Sequence, residues 1–390
     1  MKLDRSAELY GRASVIPGRS LTRSKAPGRL FDVGAGPLYA ACGEGAILTD
    51  VDGRPFIDMI CALGAIGLGY SRDVIFGIWP GDVAQCVVRH GWIYSLPHES
   101  EVLAAETVLA RVAPWATRVR FVKTGSEATH AALLVAQRAT GRRAYLRSRA
   151  SYHGWHTVWQ PDATDVRWFD DGQPMGGLAD GCCAIFVEPP RWTPCTKEWL
   201  QDCQDEAKRA GALLVFDEMI YGGRWALGGA TEYFGVTPDL ACYGKALGNG
   251  APIAFVVGCD ALAEHGELIS GTYSGDAAAL AALKATIEIY GHQPVIETLW
   301  LRGRQLARGL REGLALHSQL GAVLGGQPVH QRLRFPDPAT GRRFAALMTQ
   351  RGVLVHPDVM NVMYAHTEAL IERVVEAAQA SLADLRKEIA

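Results

Sequence analysis

Lysine is scarce in this chain of 390 residues: Lys2, Lys25, Lys123, Lys197, Lys208, Lys245, Lys284 and Lys387 are all it has, and arginine carries most of the positive charge. Charge of either sign in excess is also missing. The formal net charge is −2, which excludes the electrostatic footprint of a nucleic-acid or anionic-membrane binder. No apolar run approaches the roughly 20 residues that cross a bilayer, and the opening Met-Lys-Leu-Asp-Arg-Ser-Ala-Glu-Leu-Tyr-Gly-Arg lacks the apolar core of a signal peptide. Nine cysteines (Cys42, Cys61, Cys86, Cys182, Cys183, Cys195, Cys203, Cys242, Cys259) include no Cys-x-x-Cys pair, so reduced thiols in the cytoplasm are expected, with no zinc site. Gly34-Ala-Gly36 runs on into Pro-Leu-Tyr and fails the dinucleotide fingerprint, and a Walker A loop is missing as well. Internal repeats and low-complexity tracts are absent too.

What is there is ordinary globular composition, 48% hydrophobic and 21% charged, at a length that suits one large domain and a smaller companion. The middle of the chain alternates short apolar runs with helical patterns, the mark of an α/β domain with a mostly parallel sheet. The runs Val119–Lys123, Ala144–Arg147, Ala184–Glu188, Ala212–Phe216 and Ile253–Val257 read as strands, and Ser126–Ala139 and Lys197–Ala210 as helices that stop at Gly141 and Gly211. The flanks differ: turn signals and short strand pieces such as Ala46–Val51 come first. After about Gly275 helical stretches dominate, at Asp276–Tyr290, Val295–Leu314 and from Thr367 onward. The expected division is a large domain over 60–275 and a small α+β domain built from 1–59 and 276–390.

In an open parallel sheet, ligands bind beyond the carboxyl ends of the strands. After the first strand, Thr124-Gly125-Ser126 opens a helix, whose free N–H groups and positive dipole end suit a phosphate, although Ser126 reads equally as a helix cap. Asp217-Glu218 follows Phe216, and a carboxylate at a buried strand tip requires a cation or several donors. Lys245 lies in Gly244-Lys245-Ala246-Leu247-Gly248-Asn249-Gly250. Of all the lysines, only this one and Lys123 sit beside strands, where burial depresses an amine pKa and frees a nucleophile toward carbonyls. Between them, Tyr152-His153-Gly154-Trp155-His156 offers aromatics to a flat ring; its two histidines are not on a helix and make a poor metal pair. A phosphate cradle, an aromatic plate, a buried acid and a buried lysine together are what pyridoxal 5′-phosphate requires.

The same residues resemble the class III pyridoxal-phosphate aminotransferases, in the branch of the glutamate-1-semialdehyde aminomutases. The match runs in order through Leu48-Thr-Asp-Val-Asp-Gly-Arg-Pro-Phe-Ile-Asp58, Phe121–Ala128, Tyr152–Trp155, Val187-Glu188-Pro189 and Phe216-Asp217-Glu218. It continues through Pro238-Asp239-Leu240, Gly244-Lys245, Arg351-Gly352-Val353 and Ala365-His366-Thr367. The resemblance implies the fold type I architecture of these enzymes, with Lys245 as Schiff-base lysine and proton shuttle and Asp217 as partner of the pyridine nitrogen. It further implies Thr124, Gly125 and Ser126 around the phosphate, Tyr152 and Met219 on the two ring faces, and His153 and Glu188 close by. Gly271-Thr272 matches a segment that reaches the phosphate of a neighbouring subunit, implying a homodimer with shared sites.

The chain also departs from the pattern. Ile220 stands where ω-amino-acid members carry Gln, Tyr221 and Gly223 replace a Thr and a Phe, and Arg224 is kept. His356–Asn361 is shorter than in the aminomutases and lacks their glutamate, which points toward a sugar-like or other non-standard carbonyl substrate. Arg23, Trp92 and Arg224 are the expected substrate-binding residues, with Tyr94 and Arg191 further candidates. The expected activity is transfer of an amino group from an amino donor to a carbonyl acceptor. The alternative is an intramolecular aminomutase; more distant are a non-catalytic or nucleotide-binding protein on an α/β scaffold.

Overall fold

A computed structural model describes residues 4–70, 91–190, 192–193 and 195–389; Cys86 and Arg191 lie outside them. The chain's contacts divide it into two units. One takes the described residues up to Gly64, 68–70, and those from Glu297 onward; the other takes Ala65–Gly67 and the described residues as far as Ile296.

The first unit opens with helix α1 (Asp4–Arg12) and strands β1 (Ala40–Glu44), β2 (Ile47–Asp50) and β3 (Pro55–Asp58). These three form an antiparallel meander. Asp58 ends β3 and turns the chain by accepting from the N–H groups of Ile60 and Cys61, at 2.7 and 3.2 Å, and from the Tyr70 hydroxyl at 2.7 Å.

The second unit is built on a seven-stranded sheet. Its strands are β4 (Arg118–Val122), β5 (Tyr145–Ser148), β6 (Val166–Phe169), β7 (Ala184–Val187), β8 (Leu213–Asp217), β9 (Leu240–Tyr243) and β10 (Ala254–Gly258). Their order is β4-β10-β9-β8-β7-β5-β6. Only β10 runs against the rest, so the carboxyl ends of the other six lie along one edge. The strands β7, β8 and β9 read Ala-Ile-Phe-Val, Leu-Leu-Val-Phe-Asp and Leu-Ala-Cys-Tyr and are almost wholly buried, as strands covered on both faces must be. Helix α2 (Glu99–Arg111) precedes β4. Helix α3 (Gly125–Thr140) follows it, packing Ala128, Ala132, Val135 and Ala136 into the core and ending at Gly141 in a left-handed cap. Helix α4 (Lys197–Ala210) buries Leu200, Cys203 and Ala207, with Thr196 as its N-cap. The short helices α5 (Gly229–Phe234) and α6 (Asp260–His265) flank β9 and β10 in sequence.

Helix α7 (Ala277–His292), capped by Asp276, belongs to this unit, whereas the sequence pattern placed the change of domain just before it. Its run of Ala and Leu is buried on most sides, so it behaves as a core helix of the sheet unit and not as an outer one. Helix α8 (Val295–Leu316) begins where the unit ends. The first unit then adds the antiparallel strands β11 (Val323–Gln327) and β12 (His330–Arg334), and helix α9 (Pro338–Gln350). Strand β13 (Val353–Leu354) joins β3 in parallel, β14 (Val359–Asn361) joins β12, and helix α10 (Glu368–Ile389) closes the fold. The architecture is that expected of fold type I, an α/β body with a mostly parallel sheet.

Strand β1 and strands β11 to β14 of the first unit were not anticipated, nor were two strands of the seven-stranded sheet. β6 is a four-residue edge strand with an arginine inside it, too short and polar to show alternation. β9 stands between Asp239 and Gly244 and blended into the loop that carries Lys245.

Candidate active site

Five strand ends of the second unit bring the candidate residues to one edge. Beyond β4, Thr124 caps α3: its hydroxyl accepts from the Glu127 N–H at 3.3 Å, while the Glu127 carboxylate accepts from the N–H groups of Lys123 and Thr124 at 2.8 and 2.7 Å. This capping box occupies the Thr124 hydroxyl and leaves the first N–H groups of the helix, those of Gly125 and Ser126, to face outward. The Ser126 hydroxyl joins them and accepts from the Trp155 N–H at 3.3 Å. Glycine is required on both sides of this corner. A Cβ on Gly125 would stand 2.9 Å from the Met219 sulfur, and one on Gly154, whose φ is +115°, would stand 2.5 Å from the Ser126 hydroxyl.

Asp217, at the tip of β8, is 1% exposed. One carboxylate oxygen meets His153 Nδ1 at 2.7 Å and the other accepts from the Met219 N–H at 3.1 Å. His153 is buried between Trp159 and Phe186, and its Nε2 has no polar partner among the described residues. A carboxylate oxygen can only accept, so Nδ1 is the donor in this bond. The neighbouring Tyr152 gives its N–H to the Glu188 carboxylate at 2.8 Å and leaves its ring exposed. Arg147, at the end of β5, is buried as well. Burial pulls its guanidinium below the ordinary range, and the carboxylates of Glu188 and Asp217 act in the opposite direction. These three buried groups carry two negative charges and one positive, a balance that a cationic heterocycle would complete.

Lys245 follows β9 directly and opens a single 3₁₀ turn, Lys245–Gly248. Its φ is +46°, a left-handed conformation that costs a non-glycine residue about 1–3 kcal/mol and recurs at functional positions. The side chain is half-buried. The other strand-adjacent amine, Lys123, is engaged with Asp276 at 3.1 Å.

Arg224 is fully buried and donates through Nη2 to the Ile66 carbonyl at 3.0 Å. Trp92 is exposed, and its carbonyl accepts from the Ala277 N–H. Thr272 lies on an exposed loop that lines a cavity of about 380 Å³ together with Lys123, His130 and His156. Arg23 lies in an exposed turn of the first unit. Glu218, beside Asp217 in sequence, turns away: fully buried, it accepts from the N–H groups of Ala230 and Thr231 and from the Thr231 hydroxyl, and burial pushes its carboxyl up to about 7. Among the described residues no group of three or more His, Cys, Asp or Glu gathers as a metal would need. The partnership of His153 with Asp217 and the buried Arg147 escaped the sequence pattern. The one signal for Arg147 was a lone cation inside the apolar run Tyr-Leu-Arg-Ser.

Two N–H groups and a hydroxyl for an anion, a buried carboxylate for a ring N–H, and an amine on the same sheet edge fit an anionic-tailed aldehyde with a basic ring nitrogen. Comparison with known proteins agrees. The profile of the aminotransferase class III family matches residues 31–160 and 178–382. Glutamate-1-semialdehyde 2,1-aminomutase of Thermomicrobium roseum is 31% identical over 99% of this chain and all of that protein. The enzyme of the same name from Archaeoglobus fulgidus is 30% identical over 98% of this chain and all of its own. Among solved structures, the PLP internal aldimine form of the FumI protein of Sphingopyxis sp. MTA144 superposes with a TM-score of 0.88 at 26% identity, covering 99% of this chain and 97% of that one. An omega-transaminase from Sphaerobacter thermophilus has the same fold, with a TM-score of 0.84 at 23% identity and 98% of each chain covered.

Proposed function

This chain belongs to the class III aminotransferases, pyridoxal-phosphate-dependent enzymes, and we propose that it moves an amino group from a small-molecule donor to a carbonyl acceptor with Lys245 as the working amine. The observation that carries this reading is one sheet edge holding Asp217, the α3 amino terminus and Lys245. When bound, pyridoxal phosphate supplies an electron sink that acidifies the C–H beside a substrate nitrogen. Lys245 would hold the cofactor through Nζ, and its amine would take and return the proton of that C–H. Asp217 keeps a proton on the ring nitrogen, and His153 steadies the carboxylate by donating to its other oxygen. The N–H groups of Gly125 and Ser126 and the Ser126 hydroxyl would hold the phosphate, and Tyr152 and Met219 would pack against the ring.

The enzyme works as a homodimer in this reading. Trp92, Leu96, Val102 and Tyr273 are exposed apolar side chains, and a groove of about 590 Å³ lined by Leu96, Val102, Leu109 and Thr272 accompanies them. A second copy covering this face would bring Thr272 to its neighbour's phosphate. The cytoplasm is the proposed location, supported by eight free thiols among the described residues. Among those residues no helix is long and apolar enough to cross a membrane.

Intramolecular aminomutation is the second reading, favoured by the names of the curated relatives. Two measurements test the proposal. Borohydride treatment of the loaded enzyme followed by peptide mapping should fix the cofactor at Lys245, and Lys245→Ala should lose both the fixed cofactor and turnover; attachment at Lys123 would refute the assignment. With a donor carrying labelled nitrogen, the label should reach a carbonyl acceptor. Label retained within a rearranged substrate would establish the aminomutase instead.

A further inference from the structure

The loop that carries Tyr152 and His153 has no strand or long helix of its own; between Ser148 and β6 it holds only the single turn Thr157–Trp159. It nevertheless makes three contacts that shape the site: the Tyr152 N–H to Glu188, His153 Nδ1 to Asp217 and the Trp155 N–H to the Ser126 hydroxyl. A segment with so little regular structure needs an outside restraint to hold three such contacts at once. Arg147 provides it. Its Nη2 donates to the carbonyl of Ser151 at 2.6 Å and its Nη1 to the carbonyl of Trp159 at 3.0 Å, so one rigid fork spans both ends of the loop. The guanidinium is further fixed over the Trp168 ring, 4.9 Å from its centroid. Two residues earlier on the same strand face, the Tyr145 hydroxyl donates to the Val158 carbonyl and secures the loop's far end again.

We propose that Arg147 is a positioning residue for the cofactor site, a buried clamp that holds the 151–159 loop so that His153 meets Asp217 and Tyr152 lies over the ring; this rests on the function proposed above. A guanidinium buried to 5% exposure is a poor choice for packing alone, since apolar residues of similar volume usually serve the fold as well or better. Its use is geometric. Five N–H donors in a plane reach two carbonyls at fixed separation, whereas a lysine ammonium is a single point on a flexible stem.

The test uses the full-length enzyme loaded with pyridoxal phosphate and the variants Arg147→Met and Arg147→Lys, with Leu200→Ala, a core change in helix α4, as a stability control. The readouts are the cofactor dissociation constant, the visible circular dichroism per bound cofactor, and the melting temperature without cofactor. Arg147→Met should weaken cofactor binding by about tenfold or more, the effect of losing charge-assisted bonds, and should at least halve the dichroism at saturation. Arg147→Lys should recover part of both, and Leu200→Ala should lower the melting temperature while leaving both unchanged. If Arg147→Met does not fold, Arg147→Gln carries the same expectation. Binding within twofold of the parent with unaltered dichroism would overturn the clamp, as would losses equal to those of Leu200→Ala at matched stability. Failure of the parent to fix cofactor at Lys245 would instead sink the proposed function, so the two outcomes are separable.

Discussion

At the scale of single residues, the site depends on a carboxylate that is held but not saturated. Asp217 receives one bond from His153 and one from the Met219 N–H, and each carboxylate oxygen has a further lone pair. Asp217→Asn keeps the shape and the His153 contact but removes the charge that retains a proton on the ring nitrogen. The lost charge-assisted bond is worth roughly 1.5–3 kcal/mol, so the half-reaction with an amino donor should slow about 10- to 150-fold while the cofactor stays bound. Rapid-mixing absorbance would measure this, and an unchanged rate would mean that another group protonates the ring. Asp217 and the Thr124–Ser126 turn were legible in the sequence because each follows an apolar strand pattern, and Lys245 because it is a lone amine among glycines and small apolar residues. The His153–Asp217 bond was not, because the two residues are 64 positions apart and meet only through sheet order.

At the scale of elements, buried charge shapes the turns between strands. Glu218 ties the start of α5 to the end of β8 through Ala230 and Thr231, and Gly229 leaves no room for a side chain against its carboxylate. Because burial raises its carboxyl from about 4.5 to about 7, the folded chain keeps a proton that the unfolded chain has already released. Stability is therefore fullest below about pH 4.5 from this group and falls as the pH rises toward 7, by about 1.4 kcal/mol per unit at most. Glu218→Gln gives up one bond to Ala230 but cannot ionise. Its melting temperature should lose that part of the decline between pH 5 and 7 that Glu218 contributes, a difference that scanning calorimetry on both proteins would reveal. Helix ends were the most readable elements: Lys197–Ala210 emerges with the limits read from its apolar stripe and from Gly211. Strand β6 was hidden by the arginine inside its short run, and β9 because turn residues on one side and a glycine-rich loop on the other enclose it.

At the scale of the molecule, the fold class followed from the alternation of strands and helices, while the extent of each unit depended on packing that no local pattern encodes. Helix α7 shows this. It reads as a helix in sequence like the C-terminal ones, yet its buried residues between Ala277 and Ile289 belong to the sheet unit. The exposed apolar face around Leu96 and Tyr273, 78% and 66% exposed, leads to a prediction at this scale. In the homodimer proposed above, replacing both by Glu should leave a monomer in analytical ultracentrifugation where the parent sediments as a dimer, since two charges facing their own copies across an apolar contact oppose association. A pair of substitutions that left the mass unchanged would place the interface elsewhere.

The left-handed backbone at Lys245 sets heat resistance against chemistry. Asparagine accepts that conformation more readily than lysine does, so the substitution that best relaxes the main chain there also deletes the amine. With Lys245 in the role proposed above, breeding this enzyme for endurance without assaying turnover would reward its own extinction as a catalyst, and any thermostabilised descendant should be selected with position 245 held fixed.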